Sequence, residues 1–406
     1  MKKNSLSNTV IVNATNIGYK YHGIGVYSLN ILKELTQLQT DLNFIVYLNK
    51  SCKPHIKGIN FPDNFIIKWV PAFLSPDRNF KGHILRLIFS NLISLKHWKH
   101  LQFNTSQSEI SFFRRNQVVT IHDVIPLLFP QYHKKQYYYF KIILKYGLKY
   151  ARFVLTPSAH SKELIQKIYN LPESRIKVIH NGANTLKLNL EKLDCVKEEN
   201  FILYLGRINR MKNIQAMLKS FDLISSKINH KLVIVGNNEK ELQKEINAAG
   251  LKKISRNKIV FKKNLTEEEK CALMKNASLF LFVSLYEGFG LPPVEAMACG
   301  CPVIASNNSS LPEVCGDAAY YVDAENHSEI ANGILEVLNN DELRNRLVNN
   351  GINRSLLFNW SFSAKDHLRV IEHVISYSQF PAEEKIQRIL PLIESGVNSI
   401  SLEASN

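Results

Sequence analysis

Short apolar runs alternate with helix-like segments along most of this chain, and the alternation breaks off once, at a polar stretch, and then begins again. Before the break, Val10–Val12, Phe44–Leu48, Ile66–Val70, Val118–Ile121, Phe153–Thr156 and Lys177–Ile179 read as strands. After it, Phe201–Leu205, Leu232–Val235, Lys258–Phe261, Leu279–Val283 and Val303–Ala305 do so. Segments such as Val26–Gln37 and Ser161–Tyr169 carry helical spacing between them, with Ser161 placed to cap the second. Strands that alternate with helices pair in parallel, because each crossover returns through a helix that packs on the sheet. Two such runs predict an α/β protein with two Rossmann-like, doubly wound parallel-sheet domains facing across a cleft. The expected divisions are an N-terminal domain over 1–185, a linker over 186–200, a C-terminal domain over 201–360 and helices over 361–406, including one at Glu383–Ile393. In open parallel sheets ligands bind beyond the carboxyl ends of the strands, so chemistry is sought there.

Composition narrows the class. The chain has 406 residues, of which 45% are apolar and 21% charged, which suits a folded protein and excludes disorder and small disulfide scaffolds. The longest apolar candidate, Ile84–Trp98, is broken by Arg86, Asn91, Lys96 and His97 and is too short and too polar to span a bilayer. Val10–Val12 is too short for the core of a secretory signal. Six scattered cysteines without a Cys-x-x-Cys pair read as reduced thiols of a cytoplasmic protein, and no metal site is expected. Residues 1–190 hold 26 Lys and Arg against 8 Asp and Glu, a net of +18, while the rest is close to neutral. One-sided basic charge points to a polyanionic or phosphate-bearing partner.

The densest motif is Ser284-Leu-Tyr-Glu-Gly-Phe-Gly-Leu-Pro-Pro-Val-Glu-Ala, which begins where the strand Leu279–Val283 ends. Gly288 and Gly290 allow a ligand to approach the backbone, and Pro292-Pro293 suits the first turn of a helix whose N–H groups face an anion. Glu287 precedes that helix and Glu295 is expected in its first turn; carboxylates so placed can hold sugar or ribose hydroxyls. A second motif, Tyr204-Leu-Gly-Arg-Ile-Asn-Arg-Met-Lys-Asn, follows another strand. Gly206 permits the turn, and Arg207 and Lys212 bring cations of the kind a departing diphosphate requires. Arg210 is a third cation there. His122 and Asp123 follow the strand Val118–Ile121, and Gly23 and Gly25 open a helix after the first strand. The Gly-x-Gly-x-x-Gly dinucleotide pattern does not complete, since Ser28 stands at its third place, which disfavours dinucleotide oxidoreduction.

Glu-Gly-Phe-Gly-Leu-Pro-x-x-Glu-Ala, with its two glutamates eight positions apart, resembles the signature of the retaining GT-B glycosyltransferases of family 4, the glycosyl transferase group 1. The resemblance extends over roughly residues 10–378. It implies that Glu287 contacts the donor sugar, that Glu295 contacts the ribose, and that the backbone of Gly288, Phe289, Gly290 and Leu291 lies against sugar and diphosphate. It implies that Arg207 and Lys212 take the place of a metal at the diphosphate, that His122 lies near the reacting centre with Asp123 orienting it or its loop, and that Gly23, Gly25 and Gly206 stand near the donor. Asn264 and Leu265 fall where family members meet the nucleobase, although a glycine usually precedes that position and Lys263 and Asn264 stand here. Phe358-Asn-Trp-Ser-Phe-Ser-Ala resembles the start of the last helix, which in the family crosses back toward the first domain. Thr120-Ile-His-Asp-x-Ile-Pro-Leu-x-Phe-Pro-x-Tyr-His looks most like bacterial mannosyl- and rhamnosyltransferases of polysaccharide assembly.

The resulting expectation is a metal-independent retaining hexosyltransferase with no cofactor. Its substrates would be a nucleotide-diphosphate sugar, GDP-mannose first among the choices, and a saccharide or lipid-linked saccharide acceptor. A phosphorylase or epimerase of the same fold is the alternative within enzymes; a catalytically silent membrane- or nucleic-acid-binding protein is the alternative outside them. Basic, aromatic-rich helical patterns over 78–108 and 124–162 suit an anionic membrane surface and peripheral attachment to the inner face of the cytoplasmic membrane. No nucleic-acid module accompanies them.

Overall fold

The computed structural model describes residues 8–20, 23–112, 116–183 and 200–379. The expected linker, save Asn200, and the expected helix Glu383–Ile393 lie outside the described residues. The chain divides into two compact units. One holds the residues up to Pro157, Ser161–Ile179 and those from Ser361 onward; the other holds Ser158–His160 and His180–Trp360.

The first unit is built on a parallel sheet of seven strands: β1 (Thr9–Ala14), β2 (Asn43–Asn49), β3 (Phe65–Val70), β4 (Leu101–Asn104), β5 (Gln117–Thr120), β6 (Phe153–Thr156) and β7 (Ile176–Val178), in the order β3-β2-β1-β4-β5-β6-β7. The second unit has six: β8 (Phe201–Leu205), β9 (Lys231–Val235), β10 (Ile259–Lys262), β11 (Leu279–Phe282), β12 (Val303–Ser306) and β13 (Ala319–Val322), in the order β10-β9-β8-β11-β12-β13. Every pairing is parallel; Val10 stands opposite Phe44 on one side and Leu101 on the other. In each sheet the winding reverses once, between β1 and β4 and between β8 and β11. Strands such as Leu279-Phe-Leu-Phe are fully buried, because helices cover both faces of a parallel sheet. The helix Trp360–Gln379 joins the first unit from Ser361 on, where Arg152 donates to the Val374 carbonyl at 3.3 Å.

Two strands escape a reading by hydrophobicity. β13 is four residues long. β4, Leu-Gln-Phe-Asn, carries two polar side chains that are buried all the same: Gln102 donates to Asn104 at 2.7 Å and Asn104 donates to Gln117 at 3.0 Å. Ser161 is not a cap. Its helix runs Ala159–Tyr169, so Ser161 is a buried helical residue. The first N–H groups, of Ala159 and His160, are instead accepted by the Glu313 carboxylate at 2.7 and 3.0 Å, and a carboxylate from elsewhere in the chain starts the helix two residues early.

Polar burial in the first unit centres on Arg86 of the helix Asn79–Lys96. Its guanidinium is 3.2 Å from Glu109, and both side chains are sealed from solvent. Burial pushes the Glu109 carboxyl up and Arg86 draws it back down. An unpaired buried charge is costly. Glu109→Leu should therefore destabilise the protein by about 3–5 kcal/mol, measured by urea unfolding. Adding Arg86→Met should restore most of that loss; a double variant no more stable than Glu109→Leu alone would contradict the pairing.

Candidate active site

The reversal between β8 and β11 opens a crevice at the carboxyl ends of these two strands, where a ligand of an open parallel sheet binds. Two loops furnish it. The one after β8 turns at Gly206, where a methyl group would stand 2.6 Å from the Tyr204 hydroxyl, which itself donates to the Arg207 carbonyl at 2.9 Å. Asn209 caps the single turn Arg210–Lys212, accepting from the Lys212 N–H at 3.1 Å. Asn213 follows in the left-handed region, which asparagine tolerates better than most side chains. Its amide donates to the carbonyls of Val283 at 3.0 Å and Ala324 at 2.7 Å. The Leu285 N–H donates to the Met211 carbonyl at 2.9 Å. The loop after β8 is thereby stapled to the loop after β11.

The staple brings Lys212 and Glu287 together. The ammonium lies 2.5 Å from Glu287 Oε1 and 5.4 Å from the centre of the Phe282 ring. Glu287 is 8% exposed, and its N–H donates to Ser309 Oγ at 3.0 Å. Ser310 Oγ donates to the carbonyls of Glu287 at 3.0 Å and Phe289 at 2.8 Å, and Ser158 donates to that of Gly288 at 2.7 Å. Gly290 has φ +105° and leads into the helix Leu291–Ala298, and a methyl there would strike Leu311 at 2.6 Å. Both reasons demand glycine. Arg207 is exposed on the same loop as Lys212, with no hydrogen bond or ion pair from its guanidinium among the described residues. The structure therefore joins Lys212 to Glu287 directly, and does not join Arg207 to either of them.

Glu295 lies in the second turn of Leu291–Ala298, not the first, because Leu291, Pro292 and Pro293 occupy the opening positions. Burial raises its carboxyl to about 7, against a smaller pull from Lys270, with Glu267 adding to the rise. Both of these charges belong to the helix Glu267–Asn276, which packs on Leu291–Ala298. That helix begins with a capping box between Thr266 and Glu269, directly after Asn264 and Leu265. Asn264 is exposed and left-handed, with φ 56°, the conformation for which glycine is the usual choice, and Leu265 packs on the core.

In the first unit His122 is buried just past β5. Its Nε2 donates to the Thr105 carbonyl at 3.0 Å, and its ring meets Tyr27 edge-on at 4.7 Å. Tyr27 donates to His367 Nε2 at 2.6 Å and lies 2.9 Å from the Thr120 hydroxyl; His367 Nδ1 in turn donates to the Ser363 carbonyl at 2.7 Å. Burial lowers both imidazoles to about 4, so both are neutral at pH 7. Asp123 accepts from the Ile125 N–H at 3.0 Å and so holds its own loop. Gly23 and Gly25 sit at the start of the helix Gly23–Leu35, where a methyl on either would meet no protein atom closer than 3.9 Å. The protein's own packing does not require them to be glycine. Tyr27, His367, Ser309 and Ser310 had no sequence signal, since each acts through a partner far away in the chain.

The titrations carry opposite signs. Glu295 binds its proton more tightly folded than unfolded, so it weakens the fold as pH rises from about 4.5 to about 7. His122 and His367 are depressed, so they weaken it as pH falls from about 6.5 to about 4. Glu295→Gln should be more stable than the parent at pH 8 and equal to it near pH 4, by thermal unfolding. A variant less stable at pH 8 would show the buried carboxylate to be compensated by partners.

The glycosyl transferases group 1 model matches residues 187–354, and the glycosyltransferase family 4 model matches residues 21–186. O-antigen chain mannosyltransferase B of Escherichia coli is 29% identical over 256 residues, 60% of this chain and 66% of that protein. O-antigen chain mannosyltransferase RfbU of Salmonella typhimurium is 30% identical over 223 residues, 55% of this chain and 61% of that protein. The chain thus spans just under two thirds of the length of these curated relatives. Sucrose-phosphate synthase from Thermosynechococcus elongatus superposes with a TM-score of 0.70 at 18% identity, covering 91% of this chain and 99% of that one, which is a likeness of GT-B fold. With one family model on each side of the polar break and both sheets wound as this fold requires, the chain belongs to the group 1 glycosyltransferases of family 4.

Proposed function

We propose that the protein is a retaining glycosyltransferase that moves a hexose, mannose by preference, from a nucleotide-diphosphate sugar to a saccharide or lipid-linked saccharide during assembly of a cell-surface polysaccharide. The observation that carries this reading is the Lys212–Glu287 pair at the crevice of the second sheet, with Arg207 on the same loop. The names of the mannosyltransferase relatives support mannose, and with it GDP-mannose as donor.

In the proposed reaction the bond from the anomeric carbon to the diphosphate oxygen breaks, and a bond to the acceptor oxygen forms on the same face of the sugar. The acceptor's proton passes to the departing diphosphate oxygen. Arg207 and Lys212 stabilise the charge that grows on that oxygen, in place of a metal ion. A ligand phosphate competes with Glu287 for the Lys212 ammonium, which frees the carboxylate to accept hydrogen bonds from sugar hydroxyls. Glu295, protonated or ionised close to neutrality, is assigned to the ribose, and the backbone at Asn264 and Leu265 to the base. His122 is neutral, so it serves the sugar as a hydrogen-bonding group and not as a cation. A lipid-linked acceptor would place the protein peripherally on an anionic membrane face.

Lys212→Ala and Glu287→Ala should each lower donor turnover by about 10²–10³-fold in protein that still unfolds cooperatively on heating. Near-parental turnover in a folded variant would refute the assignment. A panel of nucleotide sugars should give its largest thermal stabilisation with GDP-mannose, since ligands that bind the native state raise its melting temperature. Sugar-nucleotide consumption without a glycosidic product would favour an epimerase. RNA binding that weakens with salt, without donor binding, would favour the silent binding protein.

A further inference from the structure

The helix Asn79–Lys96 is amphipathic the wrong way round for a protein in water. Its buried side carries Arg86, Ser90, Asn91 and Ser94, each held by a named partner, alongside the buried Ile93. Arg86 pairs with Glu109, Ser90 donates to the Glu109 carbonyl, Asn91 accepts from the Phe112 N–H, and Ser94 donates to Gln102. Its outer side carries Ile84, Leu85, Ile88, Leu92 and Leu95, between 41% and 57% exposed. At about 100° per residue these five fall within one sector of about 100°. Trp98 continues the row at 62% exposed, with the Lys99 ammonium 5.4 Å from its ring centre.

A second row lies on the helical stretch from Lys134 to Leu148. Tyr138, Ile142 and Tyr146 are exposed at spacings of four, among the exposed Lys134, Lys135, Lys141, Lys145 and Lys149. Phe112 links the two helices: its N–H donates to Asn91 at 2.9 Å and its ring lies 6.2 Å from that of Tyr146 in the second row. Among the described residues no helix is long and apolar enough to cross a membrane, so this apolar surface is not part of a span.

We infer that these two helical faces are a docking surface for an anionic lipid bilayer, with the aliphatic side chains of Asn79–Lys96 entering the interface and the lysines of Lys134–Leu148 meeting the headgroups. Contiguous exposed apolar surface marks a partner, and charge identifies which. No acidic residue occurs between Arg78 and Ser108 or between Val124 and Lys162, in a half-chain of net charge +18. A second copy of the chain would bring the same positive charge to the same face and be repelled. An interfacial helix with cations near an anionic leaflet gains from both apolar burial and headgroup attraction. The inference deepens the reading of a lipid-linked acceptor, but binding to vesicles is measured without turnover, so either can fail alone.

The test is flotation of the full chain with phosphatidylcholine vesicles, with and without a phosphatidylglycerol fraction, at low and high salt. The protein should float with the anionic vesicles, less so at high salt, and stay behind with the neutral ones. Ile88→Ser with Leu92→Ser, and separately Lys141→Glu with Lys145→Glu, should each cut anionic-vesicle partition about tenfold or more. These positions are exposed, so thermal unfolding and turnover on a soluble acceptor should stay at parental values. Absence of flotation, or a serine double variant that floats like the parent, would overturn the inference. So would a parental dimer that the serine substitutions convert to monomer without changing vesicle binding, because the face would then be a contact between copies.

Discussion

The reversal of winding between β8 and β11 governs what the second unit can do. A parallel sheet whose crossovers all ran one way would fold each strand-end loop over its neighbour. Reversal sends the loops after β8 and β11 apart and leaves a crevice between their starting points. Into that crevice the chain places a cation and a carboxylate in contact, Lys212 and Glu287. Neither group is positioned by its own loop alone. Asn213 and Leu285 tie the two loops together, and Ser309 and Ser310 grip the backbone around Glu287 from a third. Because the surrounding loops hold both groups at the crevice, an anionic ligand that takes over the Lys212 ammonium has only their mutual contact to break.

The first unit depends on the opposite device, a polar layer inside the protein. Asn13, Gln102, Asn104 and Gln117 of the sheet bond to one another or to serines of the helix Asn79–Lys96, and Ser90 ties this layer to the Arg86–Glu109 pair. Once its polar side is committed inward, that helix has only its aliphatic side to show to the outside. The exposed apolar row is thus a consequence of how the interior is satisfied, and not an accident of surface composition. Polar interiors of this kind specify register more than they add stability, since each unmade bond is penalised.

The architecture was legible because parallel strands buried on both faces are short, continuous and apolar, and runs such as Phe201–Leu205 and Phe153–Thr156 match the observed strands residue for residue. β4 was not, because hydrophobicity does not distinguish a strand whose polar side chains bond to one another from a surface loop. At the site, the motif residues on the turns after β8 and β11 were legible by chemistry and spacing. Glu295 falls one turn later than its motif suggests, since the helix already starts at Leu291, ahead of both prolines. The Tyr27–His367 contact that lies behind His122 joins positions 340 residues apart, and no local pattern encodes such a pairing.

The order of residues alone determined the class of fold, the family and the types of group present at the site, because these follow from local periodicity and from short motifs whose residues act near one another. Tertiary structure decided which groups meet and in what protonation state. Lys212 meets Glu287, while burial raises the Glu295 carboxyl toward neutrality and keeps His122 uncharged. It also decided which side of the helix Asn79–Lys96 faces out. An amphipathic pattern is the same read from either side, and only the partners waiting in the interior select the side that is buried.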